Sequence, residues 1–145
     1  MSTSPFPTQT PLNLILPIKK GSGPALKALL TGVTARPDKP VEHALTALGN
    51  VHHAQFVFLE DDTRLGVLTW YDGPFDDYIL SFVEHIGGIF NAVLQYVEGA
   101  DALIPVEFHR DAFLAFIASH DHHSLHAFSA YPGRRLFDIK DALGL

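Results

Sequence analysis

The stretch that most limits what this chain can fold into is a pair of alternating runs, Val51–Glu60 and Arg64–Tyr71, joined by Asp61-Asp62-Thr63. A strand turns successive side chains to opposite faces. His52, Ala54, Phe56 and Phe58 therefore share one face, and Val51, His53, Gln55, Val57 and Leu59 the other. The returning run sets Leu65, Val67, Thr69 and Tyr71 against Gly66, Leu68 and Trp70. The sequence predicts a β-hairpin here. Both of its faces are largely apolar, so both ask for cover.

The flanking segments supply that cover. Residues 1–11 carry Pro5, Pro7 and Pro11 among Ser, Thr and Gln and read as a loose tail; residues 12–145 read as one domain. Leu12–Ile18 is a first strand. Gly21-Ser22-Gly23-Pro24 then opens a helix bearing Leu26, Leu29, Leu30 and Val33, capped by Ser22 or Gly23. Val41, Ala44, Leu45 and Leu48 follow at helical spacing, and Gly49-Asn50 stops them. After Asp72-Gly73-Pro74 comes the longest helical pattern, Phe75, Tyr78, Ile79, Phe82, Ile86, Ile89, Phe90, Val93 and Val97, with a kink expected at Gly87-Gly88. Pro105–His109 reads as a short edge strand, and Asp111 as the cap of a helix carrying Phe113, Phe116 and Ile117. Leu125–Tyr131 reads as a last strand, and about Leu136 to Leu143 as a terminal helix. With the extra helix set aside, the order is βαββαβ, the ferredoxin-like arrangement of the α+β class. Helices on one face of such a sheet leave an apolar second face, which argues for a homodimer.

At 145 residues the chain can bury a real core, and 47% hydrophobic with 18% charged residues is a globular composition. The net charge of −6, with no basic run interleaved with aromatics, argues against nucleic-acid binding. The absence of cysteine excludes disulfides, thiolate metal sites and a cysteine nucleophile. No apolar run is long enough for a bilayer, and the first residues do not read as a secretion signal, so a cytoplasmic location without membrane contact is expected. No serine sits in Gly-x-Ser-x-Gly, which disfavours that type of hydrolase.

Three stretches carry a resemblance: Val51-His52-His53-Ala54-Gln55-Phe56-Val57, Trp70-Tyr71-Asp72-Gly73 before Phe75-Asp76-Asp77-Tyr78, and Phe128-Ser129-Ala130-Tyr131-Pro132-Gly133. Together they resemble a poorly characterised bacterial family of dimeric α+β barrel, ferredoxin-like proteins. The wider group includes antibiotic-biosynthesis-type monooxygenases, haem-degrading enzymes, chlorite dismutases and dye-decolourising peroxidases. The Gly-x-x-Asp-Gly motif of the last is absent here. The resemblance implies a pocket for a small, apolar or oxidisable ligand, with haem as a conceivable cofactor.

Histidines dominate the candidate sites. His52, among Ala54, Phe56 and Phe58, and His85, beside the stripe of the long helix, are the candidate acid, base or haem ligand. Phe56, Trp70, Tyr78, His126 and Arg134 are the candidate ligand-binding positions, and Arg134-Arg135 is a possible anion fork. His120, His122 and His123, with Asp121, form a candidate metal cluster whose spacing fits no closed zinc pattern. The leading expectation is a homodimer that binds a small apolar molecule and acts on it by oxidative or isomerising chemistry. A non-catalytic accessory module with structural histidines is the alternative, and a histidine-rich metal-binding protein the third.

Overall fold

The computed structural model describes residues 7–145. It is an α+β fold with the element order β1 (Thr10–Pro17), α1 (Gly23–Thr34), α2 (Pro40–Leu48), β2 (Val51–Leu59), β3 (Arg64–Tyr71), α3 (Phe75–Leu94), α4 (Arg110–His120) and α5 (Leu136–Ala142). Its sheet is antiparallel with the order β1-β3-β2. β3 is apolar on both faces, which suits the central place. Pro11 and Pro17 keep β1 at an edge, because proline cannot donate to a second neighbour. The register aligns Leu14, Val67 and Phe56 in one row and Leu16, Leu65 and Phe58 in the next. At Gly66 a Cβ would sit 2.7 Å from Val57 Cγ1, so glycine lets the outer face close up between β1 and β2.

The inner face is covered mainly by α3. Tyr78, Ile79, Phe82, Ile86, Phe90 and Val93 are buried along it, as the three- and four-residue spacing predicts, and Val83 and Leu94 widen the stripe. Asp76 and Asp77 occupy its first turn, where the helix dipole favours negative charge. Aromatic rings carry the packing onward. Tyr71 stacks on Tyr78 at 4.2 Å, Phe82 meets Phe90 edge-on at 5.1 Å, and Phe90 meets Phe113 of α4 at 5.7 Å. Each fully buried Leu or Phe of this kind contributes about 1.5–3 kcal/mol.

Several expectations are corrected. β1 begins at Thr10, so residues 10 and 11 belong to the sheet; of the expected tail, residues 1–6 lie outside the described residues. α3 runs through Gly87-Gly88 as one helix. Gly87 instead admits a close neighbour, since a Cβ there would stand 2.5 Å from Glu107 Oε1. Pro105–His109 is a 3-10 turn, not a strand: Asn91 Oδ1 accepts the Val106 N–H at 2.9 Å, and Asn91 Nδ2 donates to the Glu107 carboxylate at 3.0 Å. That amide also holds the Glu107 pKa below the usual carboxylate range. α4 starts at Arg110 with His109 at its cap, so Asp111 serves the first turn and not the cap.

The largest departure is Leu125–Tyr131, which forms no strand among the described residues. The chain meets the β1 edge at residues 121–124, where Asp121 bridges Leu14, the His122 N–H donates to Asn13 O at 2.8 Å and Asn13 Nδ2 donates to Ser124 Oγ at 2.8 Å. Beyond that point Leu125, Phe128 and Tyr131 are exposed, as are Phe137, Leu143 and Leu145 further on. Alternation alone did not make a strand, because the segment has no burial to reward it. No helix of the described residues is long and apolar enough to cross a membrane.

Candidate functional site

The site grows from a fault in the hairpin. Val51 pairs with Tyr71 and His53 with Trp70, so a bulge lies between Val51 and His53. A bulge inserts one residue and re-aims the side chains beside it. Val51 therefore packs against the core with Tyr71 rather than sharing the outer face with His53. The residue left over is His52, whose side chain is only 6% exposed.

His52 Nε2 lies 2.8 Å from Asp72 Oδ1, the residue that follows β3. A carboxylate only accepts, so Nε2 carries the hydrogen, and in the neutral ring Nδ1 keeps its lone pair. Among the described residues Nδ1 has no hydrogen-bond partner. Asp72 is 11% exposed at its side chain and ties distant segments together. Its Oδ1 also accepts the Gln9 N–H at 2.9 Å, and its Oδ2 accepts the Leu136 N–H at 2.7 Å at the start of α5. Its backbone exchanges hydrogen bonds with Asn50, through Asp72 N–H to Asn50 O and Asn50 Nδ2 to Asp72 O. Gln9 then holds the C-terminal arm, donating from Nε2 to Tyr131 O and Arg134 O and accepting from Ser129 Oγ.

Two hollows flank β2 at this point. The first, about 710 Å³, lies between α1, α2 and β2. Leu30, Val41, Leu45, Val51, Phe56 and Phe82 give it an apolar wall, while Thr31, Gln55 and Lys140 bring polar groups. The second, about 790 Å³, lies on the other side of β2, between Leu68, Trp70 and the arm residues Phe128 to Tyr131. His52, His53, Ala54, Gln55 and Leu136 border both. Both volumes fall in the range of roughly 300–1,000 Å³ typical of small-molecule sites.

The expected site residues divide on this map. His52 and Phe56 line the first cavity and Trp70 the second. His85 is exposed on α3, its Nδ1 2.8 Å from Ser81 O, and borders neither. Tyr78 is a core residue, donating from its hydroxyl to Thr69 Oγ1 at 3.0 Å. Burial pushes its pKa up to about 12, with the nearby Tyr71 adding to the rise and the Thr69 hydrogen bond opposing it. His126 is exposed, and Arg134 meets the site only through its carbonyl. Arg135 is engaged with Asp138 at 2.9 Å.

The metal cluster does not assemble. His120 stacks on Phe116 at 4.1 Å with Nδ1 2.8 Å from Phe116 O, while His122 and His123 are exposed. Among the described residues no three His, Asp or Glu side chains converge as a metal site. Haem fits poorly as well. His52 Nε2, the ring nitrogen farthest from the backbone, is committed to Asp72.

Asp72, Gln9, Leu136 and the α1–α2 wall were not singled out from the sequence. Asp72 stands directly before Gly73-Pro74, where an acidic residue reads as ordinary turn chemistry. No protein-family model matches the chain, and neither a curated protein nor a solved structure does.

Proposed function

We propose that this protein binds a small, largely apolar molecule in the cavity between α1, α2 and β2 and moves a proton on it with His52. The observation that carries the reading is a nearly buried histidine, oriented by a nearly buried carboxylate, at the border of an apolar cavity. With Nε2–H donated to Asp72, Nδ1 is the basic atom. It would take a proton from an acidic C–H or O–H of the ligand, and Asp72 would stabilise the imidazolium that forms. Return of that proton to another atom of the same molecule is an isomerisation and needs no oxidant. That is why the isomerising branch is preferred to the oxidative one.

The ferredoxin-like class is part of the same proposal. The order β1-β3-β2 and the Leu14–Asp121 bridge beside β1 support it, since a fourth strand of that arrangement would lie there.

The test is titration with an apolar fluorescent probe, anilinonaphthalene sulfonate, followed by competition with small aryl ketones. Saturable binding is expected, abolished when Leu45→Trp fills the cavity with the far-ultraviolet circular dichroism unchanged. Deuterium uptake at the acidic carbon of a bound ketone should fall about 10²-fold or more in His52→Gln. Probe binding indifferent to Leu45→Trp would remove the cavity from the reading. Exchange that survives His52→Gln would remove the histidine. The accessory-module reading is favoured by one observation, the apolar arm exposed at Leu125, Phe128 and Tyr131. It gains if the probe binds and no exchange is catalysed.

A further inference from the structure

Open strand edges are normally guarded by charge, proline, a bulge or a covering segment. The β1 edge is guarded by Pro11 and Pro17 and by the bridge to Asp121. The β2 edge is not. Val51–Leu59 contains no Lys, Arg, Asp, Glu or Pro, and its bulge lies at one end, between Val51 and His53. Ala54–Leu59 is regular, with β3 as its only strand neighbour among the described residues. The outward backbone groups of His53–Phe58 have no hydrogen-bond partner among the described residues. His53, Ala54 and Gln55 are exposed beside both cavities.

We propose that a second copy of this chain adds to this edge, β2 against β2, antiparallel about a twofold axis near Gln55. The pairing makes one continuous sheet and completes the border of both cavities in each copy.

Two features of β2 single out its own copy as the occupant. The cavities flank its first half, His52 to Gln55, on both faces, so the strand that lies there needs apolar side chains on both faces. Its second half, Phe56-Val57-Phe58-Leu59, offers that. Antiparallel pairing lays one copy's second half along the other's first half. Phe56 and Phe58 then border the cavity by α1 and α2, and Val57 and Leu59 the one by Trp70.

Charge agrees at the ends of the strand. The turn after β2 is acidic, Glu60-Asp61-Asp62, and its exposed Asp61 has no ion-pair partner among the described residues. Lys140 of α5 lines the cavity that the first half of β2 borders, and it also has no ion-pair partner among the described residues. The twofold carries each acidic turn toward the partner's lysine. The inference goes beyond the ligand reading and does not depend on it, because association and probe binding are measured separately.

The test is sedimentation equilibrium on the full chain, with circular dichroism to confirm folding. A dimer is expected. Gln55→Lys, which sets like charges at the axis, should raise its dissociation constant about tenfold or more. Gln55→Glu should do the same, and mixing the two variants should restore dimers. Asp61→Asn and Lys140→Gln should each weaken association a few-fold and together no more than either alone, the signature of one shared contact. A chain that stays monomeric at millimolar concentration overturns the proposal. So does a dimer that tolerates Gln55→Lys, which would place the contact on another face. Full additivity of the two charge substitutions overturns the antiparallel register.

Discussion

The two flanks of the central strand β3 are made of similar residues and end in opposite conditions. On the β1 side, Leu12, Leu14 and Leu16 meet α3 and α4 in a closed aromatic and aliphatic core. On the β2 side, Phe56 and Phe58 are only partly buried and a cavity of about 710 Å³ remains. The cause is the length and placement of the covering helices. α3 spans 20 residues across the sheet, whereas α2 has 9 residues and a single buried one, Val41. α5 buries none at all and is tied to Asp72 by one hydrogen bond, from the Leu136 N–H. Apolar composition makes a core only where an element long enough to exclude water lies against it. Where the cover is short or polar-anchored, the same composition leaves a cavity.

Truncation on the two flanks should show this contrast most strongly. Leu16→Ala, at a fully buried position, should cost about 2–5 kcal/mol in urea unfolding. A loss under about 1 kcal/mol would mean that the β1 side is as loosely filled as the other.

Next in size is a pH effect confined to the closed flank. Tyr78 titrates near 12 in the folded protein, above its ordinary 10.0. Between those values the unfolded chain has lost the proton and the folded one keeps it, so the contribution is complete below pH 10 and is lost as pH rises toward 12. Wild type should lose roughly 2–3 kcal/mol more than Tyr78→Phe over that window. Parallel stability curves for the two proteins would sink the assignment.

Smaller again is the polar anchor on the open flank. Asp72→Asn keeps the shape but weakens three acceptor contacts, to His52, Gln9 and Leu136. It should cost about 1–3 kcal/mol. Amide exchange at Leu136 should quicken more than at Leu14. Equal acceleration at both would make Asp72 a global rather than a local anchor. Last, Phe128→Ala and Leu143→Ala, both exposed, should shift stability by no more than about 0.5 kcal/mol. A larger loss that grows with protein concentration would place the arm in a contact between copies.

Much of this was legible in the residues. The alternation from Val51 to Tyr71 reads directly as β2 and β3, and the spacing from Phe75 to Val93 as the buried stripe of α3. The strand pattern places Phe56 and Trp70 on defined faces, and they border different cavities, whereas His52 leaves its expected face through the bulge. His85 misled because a position at the border of an apolar stripe can turn either way, and here it turns to solvent. Leu125–Tyr131 misled because it carries the strand pattern without the burial that would reward pairing.

What the sequence determined by itself is what repeats over a few residues: strands, helices and the sides they bury, since those periods follow from backbone geometry alone. Only the tertiary structure decided that Asp72 would orient His52 and gather Gln9 and Leu136, contacts that span 63 and 64 positions of chain. It also decided that the bulge at Val51–His53 would free one histidine from the ladder. Such meetings depend on how separate elements pack, and no local pattern records them.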